Sequence, residues 1–374
     1  MGSLQKRNRV ALMPYIGPRG TPKARIWILV HKPYGSDTGT LFSGGMGKVF
    51  EKMLREAGLL YSDCYVTARA PNTDDAHAFT NLEAELNFHQ PPLILALGDV
   101  CGWFLPPLRE PKSMATSAGQ LQKYAGSLLE CKSLTYPHYM MPLYGPDRCV
   151  ADWTERNITT YVDLQKLRDE HEWWKKNGSL KPLPTRVMKY QDMDMDELLM
   201  YLDRFDGAKV ISDDIENPTY NSKLYAPHPG YPLLMGLADS STFGISFKLF
   251  RDKPSENREL WRRLDKLYYN TPTLLGQNFF NYDALFHNML GFRIQLERVQ
   301  DTLIRHHILW PELSHKLQFM TRQYTREPYY KDEGHGWNIR HMDKYRRYNC
   351  LDACVTMEIY EAQEEEFNQR SQLR

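Results

Sequence analysis

The sequence predicts an α/β protein in two units, on three observations. Short apolar runs of strand length alternate with helical patterns in both halves, a proline-containing stretch divides the halves, and 374 residues suffice for two cores of ordinary size. The first unit spans residues 1–178, the linker 179–185 and the second unit 186–374.

The first strand is the apolar run ARIWILV, which ends in a Pro/Gly-rich turn. GKVFEKMLREAGLL follows as a helix, with Val49, Phe50, Met53, Leu54 and Ala57 at helical spacing. CYVTA, LILALG and YMMPLY are further strands, so a mostly parallel sheet covered on both faces is expected. TTYVDLQKLRDEHEWWKKNG reads as a helix closed by Gly178 at a C-cap position. Beyond the linker the alternation restarts, with TRVMKY as a strand, DMDELLMYLDRF as a helix with an acidic first turn, and KVISDDIE as a strand.

Apolar residues make up 42% and charged residues 25%, the profile of a globular chain rather than a disordered or fibrous one. Forty-seven basic residues against 46 acidic ones leave no global basic field. That balance does not exclude a nucleic-acid partner, because a carboxylate cluster holding cations itself needs local negative charge. The six cysteines form no C-x-x-C pair and no zinc-finger spacing, which points to a reduced, intracellular protein. MGSLQKRNRV lacks an apolar h-region, and no run of about 18 apolar residues occurs, so neither secretion nor a membrane span is expected.

The chemistry is carried by acidic residues of the second half. Asp214 and Glu216 end the strand KVISDDIE two residues apart, so both point to one face and repel unless cations lie between them. Asp283 follows the apolar LLG of LLGQNFFNYDALF at a strand-to-helix junction, with Gln277, Asn278 and Tyr282 nearby. Tyr348 and Asp352 stand four residues apart in the helical RRYNCLDACVTMEIY and share one face. Each motif alone is common; their order within about 140 residues is not.

D-x-E, then N-x-x-x-Y-D, then Y-x-x-x-D resembles the tyrosine variant of the DEDD exonucleases, as in the proofreading domain of family A DNA polymerases. DTLIRHHILWPELSHKLQF and YTREPYYKDEG resemble the text between the second and third motifs, and the likeness covers about 185 residues. It implies a ribonuclease H-like domain in which Asp214, Glu216, Asp283 and Asp352 bind two divalent cations, magnesium or manganese. Those cations act on the attacking and leaving oxygens of an in-line displacement. Tyr348 would orient the attacking water, and Gln277 and Asn278 would meet the terminal nucleotide. Asp301 resembles an accessory acid but equally suits a helix N-cap. Strand alternation turns Asp213 away from Asp214, and Phe279 and Phe280 are expected in the core.

Residues 20–170 resemble uracil-DNA glycosylases of families four and five, through IWILVHKPYGSDTGTLFSGGMGKVFEKML, LILALGDVCGWFL and MPLYGPDRCVADW. An α/β/α sandwich is implied, with Phe42 stacking on a flipped base and Lys48, with Gly44, Gly45 and Gly47, facing phosphate. The family's catalysts are missing: His31, Ala68 and Gly145-Pro146 stand where it has an acid or asparagine, an asparagine, and His-Pro. His31 or His138 restoring activity is the less favoured reading, and the family's iron-sulfur cysteines are absent.

These resemblances imply a DNA 3′-5′ exonuclease whose chain ends where a family A polymerase continues. The partner is then DNA and a separate polymerase subunit, without membrane, in the cytoplasm of a phage-infected bacterium. A uracil-DNA glycosylase with a decayed exonuclease, or a non-catalytic replication module, are the alternatives.

Overall fold

The computed structural model describes residues 16–68, 75–217, 233–334 and 342–372, with side chains from residue 81 onward in the helix Asp75–His89. The segment MGSLQKRNRV and Arg374 lie outside the described residues. The chain divides into two compact units, Met1–Pro182 and Leu183–Arg374.

In the first unit the order is β1 (Arg19–Gly20), β2 (Ile26–Val30), α1 (Gly45–Glu56), β3 (Cys64–Ala68), α2 (Asp75–His89), β4 (Leu93–Leu97), α3 (Cys101–Phe104), α4 (Ala118–Tyr124) and β5 (Tyr139–Leu143). Then come α5 (Pro146–Ala151), α6 (Trp153–Ile158) and α7 (Leu164–Asn177). The sheet runs β1-β3-β2-β4-β5, all parallel except the short β1. β2, β4 and β5 are buried along their whole length, which is why their sequences are unbroken apolar runs rather than alternating ones. Pro142 is tolerated because β5 is an edge strand. Gly178 ends α7 in the left-handed conformation, φ 69°. The first turn of that helical stretch, Thr159–Asp163, is wound as a π-helix, not an α-helix.

The second unit contains β6 (Val187–Lys189), α8 (Met195–Arg204), β7 (Val210–Glu216), β8 (Leu234–Ser240), β9 (Phe243–Lys248), α9 (Pro254–Asn270) and β10 (Thr273–Gly276). It continues with α10 (Asp283–Leu290), β11 (Val299–Asp301), α11 (Thr302–Leu309), α12 (Leu317–Tyr324) and α13 (Met342–Gln372). The sheet order is β11-β10-β7-β8-β9-β6, with β8 antiparallel to both neighbours and the other pairs parallel. A central strand flanked by a reversed meander on one side and two parallel crossover strands on the other is the ribonuclease H-like arrangement.

This topology puts three chain segments at one place. β7 and β10 are parallel neighbours, so their carboxyl ends lie side by side and the turn leading to α10 follows directly. α13 packs across β7, β8 and β9, and is buried almost all round from Tyr345 to Met357. Gly236 of β8 permits that approach: a Cβ there would lie 2.7 Å from the carbonyl oxygen of Asn349.

Candidate active site

Asp214 and Glu216 from β7 and Asp352 from α13 offer carboxylate oxygens all within 4.8 Å of one another. Asp352 is buried, while Asp214 and Glu216 keep an edge open to solvent. Among the described residues no other group of three acidic, histidine or cysteine side chains meets so closely. Asp283, the first residue of α10, lies outside this trio; its Oδ1 accepts from the Ile215 N–H at 3.0 Å, and its charge acts on Asp214.

Burial, then the charges of Asp352 and Glu216, push the Asp214 carboxyl well above its ordinary range. Burial followed by Asp352 pushes Glu216 up to about 7, and burial with Asp214 and Asp213 raises Asp283 strongly. Such a set relieves its repulsion by taking up protons or hard cations. Three converging carboxylates with an open edge fit a divalent ion, and no sulfur or imidazole nitrogen competes in the trio.

Side chains not anticipated from the sequence complete this environment. The Tyr330 phenol donates to Asp352 Oδ1 at 2.5 Å, and Lys331 Nζ donates to Asp352 Oδ2 at 2.5 Å and to the Tyr348 phenol at 3.0 Å. Gly334 lies against the Tyr348 ring, where a Cβ would come within 2.7 Å of Cζ. Asn349 Nδ2 donates to the carbonyl and Oδ2 of Asp214, at 2.9 and 2.7 Å, while its Oδ1 accepts from Ser246 Oγ at 2.5 Å. Asp213, on the other side of β7, is buried and pairs with His287 of α10. Tyr348 itself is raised by burial and by Asp352, so its phenol stays protonated. Tyr330, Lys331 and Gly334 lie in the segment YTREPYYKDEG and Asn349 in RRYNCLD, which was their only advance sign; nothing singled out Ser246 or His287.

Asp301 is a helix N-cap. Its Oδ1 accepts from the N–H groups of Leu303 and Asn278, both at 2.9 Å, so it also fixes the turn after β10. Within that turn Asn278 sits in the left-handed region, φ 60°, with its Oδ1 accepting from Asn281; Gln277 Nε2 donates to the His315 carbonyl at 3.2 Å. Asn278 is thus partly engaged in holding its own turn, and Gln277 in tying that turn to the segment before α12. Phe279 is core, as expected, but Phe280 is 40% exposed, which corrects its assignment to the core.

In the first unit a cavity of about 360 Å³ opens at the carboxyl ends of β2, β4 and β5, lined by His31, Tyr34, Gly98, Asp99, Gly145 and Asp147 among others. Phe42 does not face it. Its ring is fully buried, 5.6 Å from Phe50 and 5.7 Å from Tyr34, and its backbone is left-handed with φ 57°. Of the tyrosines and phenylalanines, Tyr34 and Tyr144 line the cavity, rather than Phe42. Lys48 is exposed on the first turn of α1. The nearby N–H groups of Gly44 and Gly45 are already bound, to Asp37 Oδ1 and Ser36 Oγ, so less of that loop faces a phosphate than its glycines suggested.

Residues 18–166 match the family model of the uracil DNA glycosylase superfamily. No curated protein matches the chain. Among solved structures, the catalytic core of RRP6 from Trypanosoma brucei is 18% identical at a TM-score of 0.38, over 50% of this chain and 48% of that one. RNase D from Trypanosoma brucei gives 16% identity and a TM-score of 0.38, over 48% and 64%. The EXD2 exonuclease domain gives 14% identity and a TM-score of 0.24, over 50% and 94%. The chain spans about half the length of the RRP6 core.

At the glycosylase positions, His31 and Gly145 line the cavity, whereas Ala68 at the end of β3 does not. A Cβ at Gly145 would lie 2.4 Å from Asp147 Oδ1 and 2.8 Å from the Tyr34 phenol oxygen, so those two side-chain ends would have to shift to admit any other residue. His138 is structural: Nε2 accepts from the Cys131 N–H at 2.9 Å and Nδ1 faces the Tyr136 carbonyl at 2.7 Å.

Proposed function

We propose that the second unit is a metal-dependent 3′-5′ exonuclease acting on single-stranded or frayed DNA ends and releasing nucleoside 5′-monophosphates. The observation that carries this reading is the convergence of Asp214, Glu216 and Asp352 within 4.8 Å, with Tyr348 one helical turn from Asp352. Asp214, Glu216 and Asp352 would hold one divalent ion, and Asp283 with Asp214 a second. Magnesium or manganese bound there supplies electrostatic stabilisation of the attacking and leaving oxygens. Tyr348, protonated and one turn from Asp352, orients the attacking water by hydrogen bonding. Asn349 holds Asp214 in register with α13, and Phe280 offers an exposed ring on which a terminal base can stack.

In this reading the first unit grips DNA or a partner protein without glycosylase chemistry, and the whole is the proofreading subunit of a split, phage-type family A polymerase. Support for the first part lies in the side chains at the glycosylase positions, where Ala68 and Gly145 can neither read uracil nor donate to it. The test is product analysis. The full chain with magnesium is given uniformly labelled single-stranded DNA and, separately, RNA; nucleoside 5′-monophosphates from DNA, abolished by EDTA, are expected. Faster release from RNA would overturn the DNA assignment, and no release from either would overturn the nuclease reading.

A further inference from the structure

Lys331 stands out in the second unit because the proposed metal chemistry does not use it, yet it reaches into the acidic cluster. Its side chain is 16% exposed and its ammonium contacts both Asp352 Oδ2 and the Tyr348 phenol. The positive charge also bears on Asp214 and Glu216, the two carboxylates that β7 contributes. With Tyr330 on Oδ1 and Lys331 on Oδ2, both oxygens of Asp352 are already hydrogen-bonded. An incoming ion can therefore meet Oδ2 only at its remaining lone pair, and the ammonium beside it repels that ion unless it moves aside.

The geometry makes that movement short. Nζ also holds the Tyr348 phenol at 3.0 Å and lies 4.8 Å from the centre of its ring. Both the hydroxyl and the ring face can keep the ammonium when the carboxylate is lost. A lysine suits this better than an arginine would: it is a compact point charge on a flexible stem with rotatable donors, rather than a planar fork locked onto one carboxylate.

We infer that Lys331 is a tethered cation of the site, a positioning residue that neutralises Asp352, orients Tyr348 and competes with the divalent ion for the carboxylates. The inference rests on the two-metal reading above and adds to it what sets the metal affinity. Its signature runs opposite to that of damage: a lysine that only scaffolds the site would, when lost, weaken metal binding, whereas loss of a competing charge strengthens it.

The experiment is a titration of the full chain with manganese(II), free ion followed by electron paramagnetic resonance, for wild type, Lys331→Met, Lys331→Gln and Lys331→Arg. Both neutral variants are expected to lower the dissociation constant on the order of tenfold, given a monovalent charge removed from beside the site. Lys331→Arg, which keeps the charge, is expected to stay within about threefold of wild type by the same argument. The turnover of single-stranded DNA at saturating metal should fall in the neutral variants, because Tyr348 loses its donor. Unchanged or weaker binding in both neutral variants, with wild type binding normally, would overturn the role of Lys331 alone. Absence of manganese binding by wild type would overturn the metal site and this inference together.

Discussion

Glu216 sets up a test in which the inactive protein is the more stable one. Its carboxyl is pushed from 4.5 to about 7 by burial and by Asp352. A carboxylic acid whose pKa is higher folded than unfolded binds more protons in the native state between those values. Stability is therefore fully kept below the unfolded pKa and is lost as pH rises from about 4.5 to about 7. The full shift corresponds to roughly 3 kcal/mol, discounted here to about 2 kcal/mol for the edge open to solvent. Glu216→Gln removes this penalty. In EDTA, wild type and variant should unfold alike at pH 4.5, and at pH 8 the variant should be more stable by about 2 kcal/mol, or some 4–8 °C in a unit of this size. Thermal unfolding followed by circular dichroism from pH 4.5 to 8, with manganese added in a second series, measures both arms. Manganese should raise the wild-type midpoint at pH 8 and leave the variant nearly unmoved. Parallel pH curves for the two proteins would refute the argument that Glu216 sits in a repulsive cluster.

Three further outcomes are expected. Asn349→Ala takes the acceptor from the Ser246 hydroxyl and a donor from both the carbonyl and Oδ2 of Asp214, so exonuclease turnover should fall roughly 10- to 100-fold, as for residues that orient metal ligands, in a steady-state assay. Phe42→Ala should cost about 3–5 kcal/mol in urea unfolding of the first unit, as a deleted core aromatic does, and an unchanged midpoint would return Phe42 to the surface. Gly145→His should not create uracil release from a uracil-containing duplex, because Ala68 still offers the base no hydrogen bond and the added Cβ must also displace Asp147 and Tyr34; abasic sites in a gel assay would contradict this.

What the sequence made legible follows from locality. Strand alternation put Asp214 and Glu216 on one face and helical spacing put Tyr348 and Asp352 on another, and both rules act within a few residues. Unbroken apolar runs such as IWILV and LILAL announced a sheet covered on both faces. The contacts that tune the site are of another kind. Asn349 reaches Asp214 across 135 residues, and Tyr330 reaches Asp352 from just before a 3-10 turn, Lys331–Gly334, that no periodicity marks. Phe42 misled because a family position does not specify a backbone: held left-handed, with its N–H on Asp37 and its carbonyl on Arg19, the ring turns into the core. Phe280 misled in the opposite sense, as one of two adjacent phenylalanines on a 3-10 turn whose rings face different ways, 89° apart.

The most direct test of the central claim is degradation of a 5′-labelled single-stranded DNA by the full chain with magnesium, beside the Asp214→Ala, Glu216→Ala double variant. A ladder shortening from the 3′ end, absent in the variant and in EDTA, is the predicted result. DNA left intact by wild type, or shortened equally by the double variant, would contradict the assignment of hydrolysis to this cluster.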